Sequence, residues 1–230
     1  MVSIGLYKPL HLLPMTLFKL NLVTLPKSMQ SSPMFRKISL VIYKLFIYPV
    51  HKMTLGSIGS SSKLLKTKIS GHSRIYIGSK VYINDRGWLV CAPLTGDQNC
   101  KLSIGDGTYI GRFCHIYATS KIEIGKKVLM ADKIYISDNL HSYENIELPV
   151  IDQPIKQTNP VIIGDGAWLG ENVCIIGASV GKNSVIGANS VVTKDVPDYC
   201  VVLGAPAIIT KRYNFDTRQW QKTDKEGQFI

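Results

Sequence analysis

The chain has 230 residues, 45% of them hydrophobic, which fits one domain with modest appendages and a sizeable core. Its net charge of +11 points to anionic partners, but no recognition motif accompanies the scattered basic residues, so we expect no nucleic-acid partner. Five cysteines without CxxC spacing predict free thiols in a reducing cytoplasm rather than disulfides or a metal site.

Residues 1–57 form a basic, apolar N-terminal segment. Its longest apolar run, residues 38–50, contains Lys44 and is shorter than the roughly 20 residues that a membrane span needs. Prolines and a lysine interrupt any secretory signal in the first 30 residues. Lysines flanking apolar residues fit a helix on a membrane surface, and a helix that caps the end of the following repeats fits equally well. Both interpretations stay open.

Aliphatic residues recur at every sixth position in most of the remaining chain. Within residues 161–192 they are Ile163, Leu169, Ile175, Val180, Ile186 and Val192. Neither a helix nor a single strand has this period, whereas short strands joined by tight corners do. Glycine follows four of these residues, where it allows a sharp turn. The sequence therefore predicts an all-β solenoid, a parallel β-helix, over residues 58–206.

The first tract of repeats covers residues 69–136. Ile77, Ile83 and Leu89 keep the six-residue step, and residues 91–103 break it and are predicted to form a loop. His115 and Tyr117 flank an inward-facing isoleucine, so we expect both to face outward. We expect His115 to be a surface or interface residue rather than a catalyst.

The inserted loop, residues 137–160, is the longest polar break between the two tracts, and long ordered loops in compact domains are usually functional. It contains His141, whose side chain can take a proton from a hydroxyl near neutral pH. Asp138 or Glu144 is expected to orient the imidazole, and Asn139 and Tyr143 are candidate substrate contacts. The sequence therefore makes His141 the candidate catalytic residue.

The chain leaves the repeat after Val192 through two proline-containing turns. Residues 207–230 read as a basic C-terminal tail, with a short polar helix expected within residues 214–225. Lys194, Lys211 and Arg212 could hydrogen-bond phosphates with the help of their charge.

The run from Val161 to Lys211 resembles the hexapeptide-repeat acyltransferases, which have a left-handed β-helix. The matching segments are residues 163–173 (IGDGAWLGENV), 184–199 (SVIGANSVVTKDVPDY) and 204–207 (GAPA). Residues 136–145 (ISDNLHSYEN) resemble the catalytic-histidine loop of the branch that O-acetylates capsular and O-antigen polysaccharides.

This resemblance implies a homotrimer with acetyl-CoA as donor, and it makes His141 the general base. We expect no metal, because the histidines are not paired at ligand spacing. Ala188, Thr193 and Lys194 match positions that line the CoA groove, and Lys211 matches a basic position near the adenosine end. Trp168 matches a tryptophan that precedes the repeats of the second tract, and we include it among the CoA-binding candidates. Glu171 stands where some relatives have a CoA-contacting serine, so we carry over no role for it.

The resulting hypothesis is an acetyl-CoA-dependent O-acetyltransferase for a sugar hydroxyl of a surface polysaccharide or its lipid-linked precursor. It would lie in the cytoplasm, with peripheral contact to the inner face of the cell membrane through its N-terminus. The alternatives are N-acetylation of an amino sugar and a non-catalytic β-helix that only binds. A third alternative, a zinc carbonic anhydrase of the same fold, is disfavoured because the five histidines lack short ligand spacing.

Overall fold

The structure is a computed structural model that describes residues 41–224 and 227–230. The chain divides into two compact units, residues 1–45 and 46–230. Of the first unit only residues 41–45 are described, so most of the predicted N-terminal segment lies outside the described residues. All of the strands described below belong to the second unit.

Three sheets form the sides of the second unit. The first sheet contains β1 (Ser57–Ile58), β4 (Ile75–Ile77), β7 (Lys101–Ile104), β10 (Lys121–Ile124) and β15 (Val161–Ile163). The second contains β2 (Lys63–Leu64), β5 (Tyr82–Ile83), β8 (Tyr109–Ile110), β11 (Leu129–Met130), β16 (Trp168–Leu169), β18 (Val185–Ile186), β20 (Cys200–Gly204), β21 (Ala207–Asn214) and β22 (Gln219–Lys222). The third contains β3 (Lys68–Ser70), β6 (Trp88–Cys91), β9 (His115–Ala118), β12 (Tyr135–Ser137), β17 (Cys174–Ile176) and β19 (Val191–Val192).

The chain passes through the first, second and third sheets in turn, and successive coils pair in parallel register. Tyr82 lies beside Tyr109 in the second sheet, for example, and His115 lies beside Tyr135 in the third. The second unit is a left-handed parallel β-helix, so the solenoid that the six-residue repeat predicts is confirmed.

The core is a stack of the repeated aliphatic side chains. Ile163, Leu169 and Ile175 are each fully buried, as the repeat predicts. The small residues near the corners, such as Ala167 and Ser184, are buried as well. Each buried methylene group contributes about 0.8 kcal/mol, so these rows supply most of the cohesion between coils.

The coils differ in length mainly in the connection from the third sheet to the first. We call this connection the third corner. At the other two corners the repeat keeps its step, as from Ile163 to Leu169 and on to Ile175. At the third corner the step from Ile175 to Val180 is one residue shorter, and Gly177 turns there with a φ of 55°. Val180 still bridges Ile163 in parallel, so the shorter step leaves the coil in register.

Aspartate side chains join successive coils at the corners. The Asp106 carboxylate accepts a hydrogen bond from the backbone N–H of Ser79 at 2.7 Å. Asp165 accepts one from the N–H of Lys126 at 2.7 Å in the same way. These contacts satisfy backbone donors that the strands leave free, and they explain why Gly-Asp pairs recur in the repeat.

An antiparallel hairpin closes one end of the second sheet, because β20 pairs with β21 and β21 pairs with β22. The short helix expected within residues 214–225 is therefore wrong. The Asn214 side chain accepts hydrogen bonds from the N–H groups of Asp216 and Thr217, at 2.9 and 3.2 Å, which makes a turn. Arg218 then adopts a positive φ of 54°, which leads the chain into β22 instead of a helix.

The helical elements that lie wholly within the described residues are short. They are a π-helical turn (Tyr43–Ile47), α1 (Tyr48–Thr54) and two 3-10 turns (His72–Arg74 and Val150–Asp152). The Tyr48 hydroxyl donates a hydrogen bond to the carbonyl of Gly59 at 3.2 Å, so α1 lies against the first coil. No helix within residues 41–224 and 227–230 is long and apolar enough to cross a lipid bilayer.

Candidate active site

The inserted loop is an ordered hairpin at the third corner. Its strands β13 (Asn139–His141) and β14 (Ile155–Gln157) pair in antiparallel register, with His141 opposite Ile155. The chain enters the hairpin at the end of the third sheet and leaves it into the first. The backbone therefore fixes His141 at the end of a strand rather than on a loose connection, and its side chain is exposed.

A buried polar network holds the base of the hairpin. The Asp138 side chain is fully buried, and its carboxylate accepts hydrogen bonds from the N–H groups of Thr119 and Ser120, both at 2.8 Å. The Asn139 side chain donates to the same carboxylate at 3.1 Å and to the Tyr117 carbonyl at 3.1 Å. Hydrogen bonds to a charged group are stronger than neutral ones, so this network anchors the hairpin firmly.

Gln157 connects the hairpin to the loop of residues 92–100, which is inserted at the same corner. The Gln157 side-chain oxygen accepts hydrogen bonds from the Thr95 hydroxyl at 2.6 Å and the Thr119 hydroxyl at 2.9 Å. Its amide nitrogen donates to the Asp138 carbonyl at 2.6 Å. Sequence reasoning missed Thr95, Thr119 and Gln157, although polar residues at a corner that lacks the repeat were a usable signal.

Neither predicted orienting carboxylate contacts the His141 imidazole, which differs from the expectation. Asp138 is committed to the network at the base, and Glu144 pairs with Lys156 at 2.6 Å. The hydrogen bond from Lys156, aided by the backbone N–H groups of Tyr143 and Glu144, lowers the pKa of Glu144 to about 2. Across residues 41–224 and 227–230, the His141 side chain has no hydrogen-bond partner, so its two nitrogens are available to a ligand.

The two candidate substrate contacts differ in their surroundings. The Asn139 side chain is buried and engaged in the network, so it supports the hairpin and does not face solvent. The Tyr143 side chain is 69% exposed and lies two residues beyond His141. Of this pair, only Tyr143 is in a position to meet a ligand from solution.

The CoA-binding candidates occupy three different places around the coil. Trp168 and Lys211 lie in one cross-strand row of the second sheet, with Val185 and Val201 between them. Ala188 lies at the corner between the second and third sheets. Thr193 and Lys194 lie at the third corner, two strand spacings, or about 10 Å, from the coil that carries the hairpin. The structure brings Thr193 and Lys194 to the edge that carries His141 and leaves the others on different sides.

His115 lies in a column of side chains on the outer face of the third sheet. Its ring stacks on Trp88 with a centroid distance of 4.4 Å, and the Lys68 ammonium lies 4.1 Å above the other face of Trp88. Burial, with a smaller contribution from the Lys68 charge, lowers the pKa of His115. Its Nε2 is buried without a partner among the residues that the structure describes. His115 faces outward as predicted, but its ring is packed against its neighbours and is half-buried.

The cysteines are free thiols, as their spacing predicts. Cys91 and Cys100 are buried with their sulfur atoms 3.6 Å apart, and burial raises the pKa of Cys114 to about 11. The described part of the chain contains no group of three or more His, Cys, Asp or Glu side chains that could hold a metal ion.

Comparison with known proteins explains the repeat. Residues 160–194 match the family model described as the hexapeptide repeat of succinyl-transferase. The chain is 36% identical over 124 residues to WbbJ of Escherichia coli K12, provisionally named a lipopolysaccharide biosynthesis O-acetyl transferase; the match covers 51% of this chain and 63% of WbbJ. It is 33% identical over 122 residues to a galactoside O-acetyltransferase of Escherichia coli K12, covering 49% of this chain and 57% of that protein. In the matched regions the chain is similar to hexapeptide-repeat acetyltransferases.

The chain spans less than two thirds of the length of the two relatives named above. A solved structure with the same fold is AntD, an N-acyltransferase from Bacillus cereus, in complex with dTDP and 3-hydroxybutyryl-CoA. It superimposes with a TM-score of 0.60 at 18% identity, covering 74% of this chain and 90% of AntD. At that level of identity the likeness concerns the fold alone.

Proposed function

We propose that this chain is an acetyl-CoA-dependent O-acetyltransferase that modifies a sugar hydroxyl of a surface polysaccharide or of its lipid-linked precursor. The observation that carries the proposal is the hairpin: a rigid, buried base supports an exposed His141 with no partner of its own among the described residues. The names of the relatives, which include a lipopolysaccharide and a galactoside O-acetyltransferase, support this choice of reaction.

His141 would act as the general base. It takes the proton from the acceptor hydroxyl while that oxygen forms a bond to the acetyl carbon and the bond from that carbon to sulfur breaks. The protonated His141 then returns the proton to the sulfur that leaves, so the products are the acetyl ester and the free thiol. Because both substrates are held side by side, no covalent bond between the acetyl group and the protein is required.

Three of the five candidate residues have side chains suited to parts of a CoA thioester. Lys194 and Lys211 are exposed cations that can hydrogen-bond phosphates, and Trp168 is 49% exposed and can cover an apolar or aromatic part of the ligand. The five candidates lie on different sides of the β-helix, so a single copy of the chain cannot surround one ligand with all of them. This arrangement supports a homotrimer in which each ligand-binding cleft lies between the β-helices of two neighbouring subunits.

We further propose that the enzyme works in the cytoplasm and meets a lipid-linked saccharide at the inner face of the cell membrane. The positive net charge of +11 supports this location, because it favours approach to an anionic surface. Deletion of residues 1–50 should release the protein from membrane fractions, and an unchanged distribution would reject the membrane contact.

A thiol-release assay with acetyl-CoA and a panel of saccharides tests the reaction. We expect CoA release that depends on a hydroxyl-bearing sugar and a product whose acetyl group is removed by mild alkali, as an ester is. An alkali-stable acetyl group would show an amide and favour the N-acetyltransferase alternative. No release with any acceptor would favour a non-catalytic binding protein. Loss of O-acetyl signals from surface polysaccharide in cells without the gene would support the cellular substrate.

A further inference from the structure

A second concave site lies at the third corner, beside the first coils. It has a volume of about 380 Å³ and is lined by the 3-10 turn before β4 and by the end of the loop of residues 92–100. Its lining includes Ser73, Arg74, Tyr76, Asn99 and Lys101, and no carboxylate is part of it. The site is therefore polar and cationic.

Arg74 and Lys101 are cations that form no ion pair among the described residues. Arg74 is half-buried, and neither side chain has a carboxylate within 4.0 Å in the part of the chain that the structure describes. The Lys101 ammonium lies 4.7 Å above the ring of Tyr76, so it is held toward the site. A half-buried guanidinium without an ion pair is costly, because burial removes water that would otherwise solvate the charge.

The backbone register places a third cation in the same row. Ile75 pairs with Leu102, which makes Arg74 and Lys101 neighbours, and Lys101 pairs with Lys121 on the next strand. Like charges on neighbouring strands destabilise a sheet. Of the three, only Lys121 has an ion pair among the described residues, with Glu123 at 3.2 Å. An anion bound between Arg74 and Lys101 would relieve this repulsion.

The position of the site relates it to His141. The cationic site lies beside β7 of the first sheet. The hairpin ends at β15 of the same sheet, which is two strand spacings, or about 10 Å, from β7. Thr193 and Lys194 lie beyond the hairpin in the same direction. The hairpin thus separates the cationic site from Thr193 and Lys194. The Thr95–Gln157 hydrogen bond links the loop that lines the site to the hairpin.

We propose that this site binds an oxyanion, a phosphate or a carboxylate group, of the saccharide acceptor. The assignment to the acceptor rests on the function proposed above, because Thr193 and Lys194, the CoA-binding candidates at this corner, lie on the opposite side of the hairpin. Arg74 offers a planar fork of donors that suits two oxygen atoms of one anion, and Lys101 adds a point charge. Ser73 and Asn99 supply neutral polar groups at the rim.

Isothermal titration calorimetry without acetyl-CoA tests the proposal, with sodium pyrophosphate and sodium glucuronate as separate probes and chloride keeping the ionic strength constant. We expect at least one probe to bind the wild-type chain. The double substitution Arg74→Gln and Lys101→Gln should weaken that binding by at least about tenfold, since hydrogen bonds to charged groups are lost. The probe that binds shows whether the acceptor group resembles a phosphate or an acidic sugar.

The matched control is the double substitution Lys80→Gln and Arg86→Gln, which removes the same charge from two exposed positions outside the site. It should bind the probe within about twofold of wild type. If the Arg74→Gln and Lys101→Gln variant is unfolded in chloride buffer, the single substitution Lys101→Gln replaces it in the comparison with wild type. Lys101 is exposed, so its substitution should not disturb folding. Failure of both probes to bind, or equal affinity in site and control variants, would overturn the proposal. A chain that binds a probe here but transfers no acetyl group would reject only the proposed function.

Discussion

The buried Asp138 carboxylate accepts a hydrogen bond from the Thr119 N–H at 2.8 Å, and this contact ties the hairpin that carries His141 to the preceding coil. The Ser120 N–H donates to the same carboxylate. Asp138→Ala leaves these donors without an acceptor, and each unsatisfied buried group costs about 1–3 kcal/mol. We expect the free energy of unfolding, measured in urea, to fall by about 2 kcal/mol or more.

Asp106→Ala is the control for this substitution. It removes a single hydrogen bond, to the Ser79 N–H, at a solvent-exposed corner. The exposed N–H can bond to water instead, so we expect a loss of about 1 kcal/mol or less. An equal loss of unfolding free energy in the two variants would show that the network at the base of the hairpin contributes no more stability than a surface hydrogen bond.

His141→Ala should remove the general base without disturbing the coil, since the side chain is exposed and makes no hydrogen bond within the described residues. We expect kcat for acetyl transfer to fall by about 10²–10⁴-fold, the usual contribution of a positioned acid–base group. The circular dichroism spectrum should not change. His72→Ala, at an exposed histidine in a 3-10 turn, should keep kcat close to wild type. Near-normal turnover by His141→Ala would contradict the assignment.

The double substitution Lys194→Ala and Lys211→Ala should weaken the binding of acetyl-CoA, because both cations are candidates for its phosphates. We expect KM for acetyl-CoA to rise by roughly tenfold with little change in kcat, which is the signature of lost ground-state binding. Steady-state kinetics with saturating acceptor measures both constants. The double substitution Lys80→Ala and Lys127→Ala removes the same charge elsewhere and should leave KM unchanged. A parallel rise of KM in this control would point to a general charge effect.

The stability of the protein should fall in mild acid, partly because of His115. Burial, and to a lesser extent the Lys68 charge, lowers the pKa of His115 from its ordinary value near 6.5. The unfolded chain therefore binds this proton at higher pH than the native chain, so stability falls as the pH drops below about 6.5 toward the native pKa. His115→Asn should flatten the decline of Tm between about pH 7 and 5. Burial also lowers the pKa of His51 and His72, so part of the slope should remain. An unchanged slope would contradict the prediction.

Gly170→Ala should disturb the corner that carries Ala188. A Cβ at Gly170 would lie 2.6 Å from the backbone nitrogen of Ala188, which cannot move without shifting the next coil. Overpacking of this kind costs about 1–3 kcal/mol, measurable as a lower midpoint in urea. At Gly87 the nearest atom to such a Cβ is 3.6 Å away, so Gly87→Ala should be tolerated. A similar loss in both variants would mean that the contact with Ala188 is not the cause.

The β-helix was predictable because the same six-residue spacing of aliphatic residues recurs along the chain. Ile163, Leu169 and Ile175 follow a six-residue period that only a stack of short strands produces, and all three are buried. The shorter step to Val180 could not be interpreted from the sequence, because the compensating turn at Gly177 depends on a positive φ. The end of the chain was mispredicted for a related reason: the capping turn made by Asn214 overrides the polar pattern that suggests a helix.

The candidate site was only partly predictable. The break in the repeat identifies the segment around His141, but the buried partners of Asp138 come from Thr119 and Ser120, on the coil before it. Contacts between successive coils join residues that are distant in sequence, and no local sequence pattern predicts them. The same holds for Arg74 and Lys101, which become neighbours only through the pairing of Ile75 with Leu102.

The reversal of chain direction between β20 and β21 also bears on self-association. A stack of parallel strands exposes unpaired backbone groups at its last coil, and such an edge can template the addition of another chain. Because β21 and β22 run antiparallel to the coils and cover the last parallel strand of the second sheet, an incoming molecule finds no matching register there. The hairpin thus keeps the last parallel strand of this sheet from serving as a template for end-to-end addition of a second molecule.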